Sequence, residues 1–106
     1  MNIVGVCACP AGIAHTYMAA ESLENAARKR GHSIKVETDG SGGVENRLTA
    51  QEIAAADVVV VAADIRVEMD RFRGKPLVKV PVSDAIRNVS GVLDRVEAGD
   101  VPAYEG

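Results

Sequence analysis

Val58-Val59-Val60-Val61-Ala62 contains no polar side chain. Five consecutive apolar residues, mostly β-branched, suit a strand covered on both faces, as in a parallel sheet with helices on each side. Three further runs, Ile3 to Cys7, Ile34 to Thr38 and Leu77 to Val80, read as strands, with helical patterns between them. The alternation Ile34-Lys35-Val36-Glu37 predicts a half-exposed edge. Strands alternating with helices predict an α/β fold, a small doubly wound sandwich with helices on both faces. Right-handed crossovers then predict a four-stranded parallel sheet in the order 2-1-3-4, with the topological switch beside the first strand.

In the first helical pattern Ala19, Leu23, Ala26 and Ala27 recur at helical spacing. Arg28-Lys29-Arg30 suit its last turn and Gly31 its C-terminal cap. Thr49 and Glu52 form a capping-box pattern ahead of Ile53. Ser83 to Val96, carrying Ile86, Val89, Leu93 and Val96, predicts one continuous helix, and a short helix is expected around Val67 to Phe72. Asp39-Gly40-Ser41-Gly42-Gly43 lacks the spacing of a dinucleotide fingerprint and reads as a flexible connection. Residues 1–98 are expected to form the domain, and residues 99–106, with Gly99, Pro102 and Gly106, a flexible tail or the start of a linker.

Composition narrows the function. The 106 residues suffice for one domain with its own core. A net charge of -3 with interspersed signs, two Tyr, one Phe and no Trp argue against a nucleic-acid partner, which needs a basic face or stacking platforms. No apolar run approaches the roughly 18 residues of a membrane span, and Met1-Asn2-Ile3-Val4 lacks a basic leader, so a cytoplasmic location is expected. Arg71, Arg73 and Lys75 offer either a partner-facing basic patch or ordinary solvated charges. Two cysteines one residue apart fit neither a disulfide framework nor a zinc site.

Cys7-Ala8-Cys9-Pro10-Ala11-Gly12-Ile13-Ala14-His15-Thr16 joins the first strand to the first helix, which puts Cys9 in a turn before a helix N-terminus. Unpaired amides and the positive end of the helix dipole favour an anion there and activate a thiol. The small residues Pro10 to Ala14 could form an amide cradle for phosphate, with Pro10 stiffening it and Gly12 permitting close approach. Tyrosine phosphatases place Cys, five residues, Arg and then Ser or Thr in such a loop. Here His15 replaces the arginine and Thr16 keeps the hydroxyl. Thiolate, cradle and hydroxyl can all be supplied, but not the bidentate clamp that accompanies hydrolysis, so the loop reads as a carrier of phosphate. His15 either orients the loop or moves a proton. Cys7 reads as a strand-end core residue, with a bond to Cys9 under oxidation as its alternative.

Ala8-Cys9-Pro10-Ala11-Gly12-Ile13-Ala14-His15-Thr16 resembles the fructose-specific enzyme IIB domain of bacterial phosphoenolpyruvate-dependent sugar phosphotransferase systems, differing from that family's pattern only at Ala11, where the family has Thr. The resemblance continues at Val36-Glu37-Thr38-Asp39-Gly40-Ser41, Glu45-Asn46-Arg47-Leu48-Thr49, Ala55-Ala56-Asp57-Val58, Ala62-Ala63-Asp64-Ile65 and Arg71-Phe72-Arg73-Gly74-Lys75-Pro76. Asp39 stands where the family usually has Gln, and Gly42 where a branched residue is common. The resemblance implies a protein-phosphohistidine:D-fructose phosphotransferase. In it, phosphorylated IIA donates to Cys9, and phosphocysteine passes the group to fructose bound by the membrane component IIC, to which the domain can be tethered. It also implies that the domain needs no metal, nucleotide or other cofactor, and that Cys9 lies on a shallow, open surface. A non-catalytic anion-binding or regulatory domain and a phosphatase-like hydrolase are the alternatives.

Overall fold

The computed structural model describes residues 1–10, 14–40 and 42–106. Its elements are β1 (Asn2–Ala8), α1 (Ala14–Lys29), β2 (Ser33–Gly40), β3 (Gly43–Glu45), α2 (Ala50–Ala55), β4 (Val58–Ala63), β5 (Leu77–Val80), α3 (Val82–Arg87) and α4 (Val89–Glu97), with a 3-10 turn at Asp70–Phe72. The sheet runs β3-β2-β1-β4-β5. Its four parallel strands follow the expected 2-1-3-4 order, and β3 adds an antiparallel edge to β2 through Thr38–Glu45, Asp39–Val44 and Gly40–Gly43. The fold is therefore α/β as expected, but the sheet is mixed and five-stranded rather than purely parallel and four-stranded. β3 escapes a reading of apolar patterns because its three residues are all exposed.

Two apolar layers follow from the period-2 alternation of the strands. Ile3, Cys7, Cys9, Val36, Val58, Val60, Ala62, Val78 and Val80 face α1, α3 and α4, whereas Val4, Val6, Ala8, Val59, Val61 and Ala63 face Leu48, Ile53, Ala56 and Phe72. Every residue of β4 is buried, as its unbroken apolar run requires. Small side chains let α1 lie close over the sheet: Ala19, Ala20 and Ala27 are buried around Leu23. Gly31, at φ 83°, ends α1 in the left-handed conformation, and the His32 amide reaches back to the Ala27 carbonyl at 3.0 Å.

Three further expectations about individual elements change. β2 is not the edge strand: β3 covers its outer side, and Glu37 is buried. The single helix expected over Ser83 to Val96 is two, because Asn88 leaves helical geometry at φ -137°, ψ 41° while the apolar stripe of both pieces faces the same core layer. The short helix around Val67 to Phe72 contracts to the 3-10 turn. In the segment expected to be a tail, Pro102 and Tyr104 accept from the amides of Leu77 and Gly74 at 3.1 and 2.8 Å, and the Tyr104 amide donates to Lys75 at 2.9 Å. That pairing lays the segment along the free edge of β5.

Candidate functional site

β1 is the strand at which crossover direction reverses, and ligands in doubly wound sheets gather at the carboxyl ends of such strands. Cys9 is the first residue past that end. Its side chain continues the alternation of Ile3 and Cys7 and packs in the layer under α1. It is 9% exposed, so the expected shallow, open thiol is instead tucked at the rim of the core. Cys7, one turn of the pleat earlier, is wholly buried, and burial, reinforced by the charge of Glu24, pushes its thiol up to about 12. Both cysteines are free, and only Cys9 stands where the chain turns toward α1.

Of the candidate cradle, Pro10 is an exposed turn residue, Ala14 and His15 begin α1 on its exposed side, and Thr16 turns inward and is fully buried with its hydroxyl unpaired among the described residues. Ala11, Gly12 and Ile13 lie outside the described residues, as does Ser41. The first turn of α1 carries no acidic residue to compete with an anion for the positive end of this 16-residue helix. Tyr17, also in that turn, donates its hydroxyl to Glu45 of β3 at 2.5 Å and so ties the β2–β3 hairpin to the start of α1. This bond raises the pKa of Tyr17, because it stabilises the protonated phenol.

Residues whose partners the sequence does not reveal brace the surroundings. Arg71 forks onto the buried Glu37 at 2.8 and 2.6 Å, and the Leu48 amide gives Glu37 a third bond at 2.9 Å. The guanidinium also lies 4.7 Å from the centre of the Phe72 ring. Lys75 donates to the carbonyls of Ala54 and Ala56, and Arg73 pairs with Asp70. The three cations therefore do not make a free basic patch. Asp64 follows β4 as Cys9 follows β1, and accepts a bond from the Val82 amide at 3.1 Å. Its position next to Cys9 depends on strand register, which separation along the chain conceals.

A groove of about 850 Å³ lined by Ile65, Arg66, Met69, Leu77, Lys79 and Tyr104 opens beside β4 and β5. Leu77, Met69 and Tyr104 belong to the layer opposite α1, so the body of this groove is on the other side of the sheet from the Cys9 thiol, with Asp64 at its rim where β4 ends. No cluster of three His, Cys, Asp or Glu side chains suited to a metal occurs among the described residues. No helix of the described residues is long and apolar enough to cross a membrane.

A model of the family "PTS system, Lactose/Cellobiose specific IIB subunit" matches residues 4–95. The PTS system fructose-like EIIB component 2 of Escherichia coli K12 is 50% identical over 98 residues, covering 92% of each chain. The fructose-specific EIIABC component of Bacillus subtilis is 49% identical over 105 residues, which are 99% of this chain but 16% of that protein. The solved structure of a domain of fruA from Bacillus subtilis superposes with a TM-score of 0.90 at 46% identity, covering 98% of this chain and all of that one.

Proposed function

This chain belongs to the family of IIB components of PTS sugar-transport systems, and on that premise we propose that it carries a phosphoryl group on Cys9 between a phosphohistidine of a IIA partner and fructose held by a IIC permease. The observation that carries the reading is the place of Cys9: the only cysteine at the carboxyl end of the switch-point strand, ahead of a long helix whose first turn holds no carboxylate. The fructose preference is supported by the relatives, whose names specify fructose or fructose-like systems.

In the forward step the Cys9 thiolate attacks phosphorus, the N–P bond of the donor breaks, and the imidazole leaves. Amides at the start of α1, including those of His15 and Thr16, face the end where negative charge accumulates. Pro10 and Ala14, with Ala11, Gly12 and Ile13, complete the proposed cradle. The buried Thr16 hydroxyl, unpaired among the described residues, has a donor to offer the sulfur or a phosphate oxygen. Positioning and dipoles suffice for such a transfer, which has little covalent chemistry of its own. The low exposure of Cys9 suits a group that must wait for an acceptor without meeting water.

Docked permease and donor place the domain at the cytoplasmic side of the membrane, working in trans or as part of a fused chain. Incubation with a phosphorylated IIA donor, followed by intact mass measurement and mapping of the modified peptide, tests the reading. A single phosphoryl addition on Cys9 is expected; no addition, or addition on another residue, refutes it.

A further inference from the structure

Transfer from phosphocysteine to a sugar differs from transfer between histidine and cysteine in one respect: a hydroxyl proton has to leave. β1 and β4 pair in parallel with Ala8 opposite Ala63. The Asp64 amide then donates to the Ala8 carbonyl at 3.0 Å, so the residues that follow, Cys9 and Asp64, leave the sheet side by side on strands about 4.8 Å apart. The direction of the carboxylate is set by its bond to the Val82 amide, and Val82 packs in the same core layer as Cys9. The bond to Val82 therefore turns the Asp64 carboxylate toward the face that the thiol occupies, while the residue itself sits at the strand end and also borders the groove beside β4 and β5. Oδ1 is held by Val82, whereas Oδ2 has no hydrogen bond and no cation paired with it among the described residues, and the residue is exposed.

An anchored carboxylate with one oxygen free, on the strand end beside the one that bears Cys9, can serve as the aspartate that accepts the substrate hydroxyl proton does in kinases. We infer that Asp64 is the catalytic base of the discharge step. This inference rests on the reading of Cys9 as the phosphoryl carrier. As the sugar oxygen bonds to phosphorus, the S–P bond breaks and its electron pair returns to Cys9 as thiolate. The hydroxyl proton passes to Asp64 Oδ2, which later releases it to solvent. The Val82 amide keeps Oδ1 fixed throughout, so that the free oxygen does not have to be oriented at the moment of reaction.

Asp64→Asn separates this role from capping, since its amide oxygen still accepts from Val82 but cannot take a proton; Asp64→Ser, whose hydroxyl can also accept from that amide, is the second variant. Two half-reactions are read with the labelled protein: phosphoryl exchange with IIA, which involves no hydroxyl proton, and discharge to fructose in membrane vesicles carrying a fructose-type IIC permease. Both variants should exchange with IIA within about two-fold of the native chain and discharge to fructose about 100-fold more slowly. Equal slowing of both half-reactions would overturn the inference in favour of a purely structural role, and unchanged discharge would overturn it outright. A native chain that takes no label on Cys9 would instead bring down the carrier reading, and this one with it.

Discussion

Arg71 and Glu37 form a fork-to-fork ion pair at 2.8 and 2.6 Å that is all but removed from water, with side chains 13% and 3% exposed. The pair joins the 3-10 turn to β2, and with the Leu48 amide it fixes the segment that leads from the β3 hairpin into α2. Burial by itself would raise the Glu37 carboxyl, but the bonds from Arg71 and Leu48 and the nearby positive charge outweigh it and hold the pKa below the usual range.

Arg71→Met should destabilise the fold by about 3–5 kcal/mol, because it leaves a buried carboxylate without its partner. The sign of the pH dependence follows. In the native chain the pair's contribution is present above the unfolded Glu pKa of about 4.3 and is lost as pH falls through the lower folded value. In Arg71→Met burial is opposed only by the Leu48 amide and the charge of Arg47, so Glu37 takes up a proton more readily in the folded state than in the native chain and acidification relieves part of the penalty. The stability gap between the two proteins, measured by urea unfolding, should therefore narrow from pH 7 to pH 4. A gap that widened would show that Glu37 is charged and satisfied without Arg71.

The two thiols should behave very differently. With Cys7 pushed up to about 12 inside the core, alkylation of the folded protein near neutral pH should label Cys9 alone, and Cys7 should react only after unfolding. Cys9→Ser should abolish phosphoryl uptake from IIA while keeping the native melting transition, and Cys7→Ser should retain uptake. Peptide mapping after brief iodoacetamide treatment, together with mass measurement of the phosphorylated variants, checks both points. Uptake lost in Cys7→Ser with the fold intact would mean that the buried thiol has a part in the transfer.

Much of this was legible in the residues. The all-apolar Val58 to Ala62 run identifies a central strand, and the order of the four parallel strands is the one expected of a small doubly wound sheet with right-handed crossovers. Cys9 stands out in the sequence as a thiol between a strand and a helix, whereas its packing in the layer under α1 is visible only in the structure. What stayed hidden depends on tertiary pairing. β3 has no apolar face, Asn88 interrupts a helix without interrupting its apolar stripe, and Glu37 looks like the polar half of an edge strand until Arg71 is brought across to it. Asp64 is one more acidic residue after a strand until the register sets it beside Cys9.

Thr49 and Glu52 form the reciprocal bonds of a capping box at 3.1 and 2.8 Å, and Lys35 also holds Glu52 at 2.7 Å. Lys35 and the Thr49 amide lower the Glu52 carboxyl. Because α2 has only six residues, it depends on this start more than a long helix would. Thr49→Ala should cost about 1 kcal/mol, read as a lower midpoint of chemical unfolding with little change in slope. Thr49→Ser should recover most of that loss. An unchanged midpoint in Thr49→Ala would show that the packing of Ile53 holds α2 without the cap.

His15 stands at the second position of α1, exposed, next to the inward-turned Thr16, in the place where a phosphatase loop has its arginine. If that position faces the anion, His15→Arg should tighten inorganic phosphate binding, since a guanidinium can reach two phosphate oxygens where an imidazole reaches one. Charged hydrogen bonds of this kind are worth about 1.5–3 kcal/mol, which corresponds to an affinity gain of about 10- to 100-fold. Tighter holding of the product-like anion should slow delivery to the sugar, because binding the ground state more strongly raises the barrier to leaving it. Hydrolysis is a separate matter, as it requires water to reach a sulfur that the core largely covers. Calorimetric titration of phosphate into the native and His15→Arg proteins decides the question. Equal affinities would show that the imidazole position does not face the anion, leaving His15 to orient the start of the helix and the buried Thr16 hydroxyl as the nearer side-chain donor.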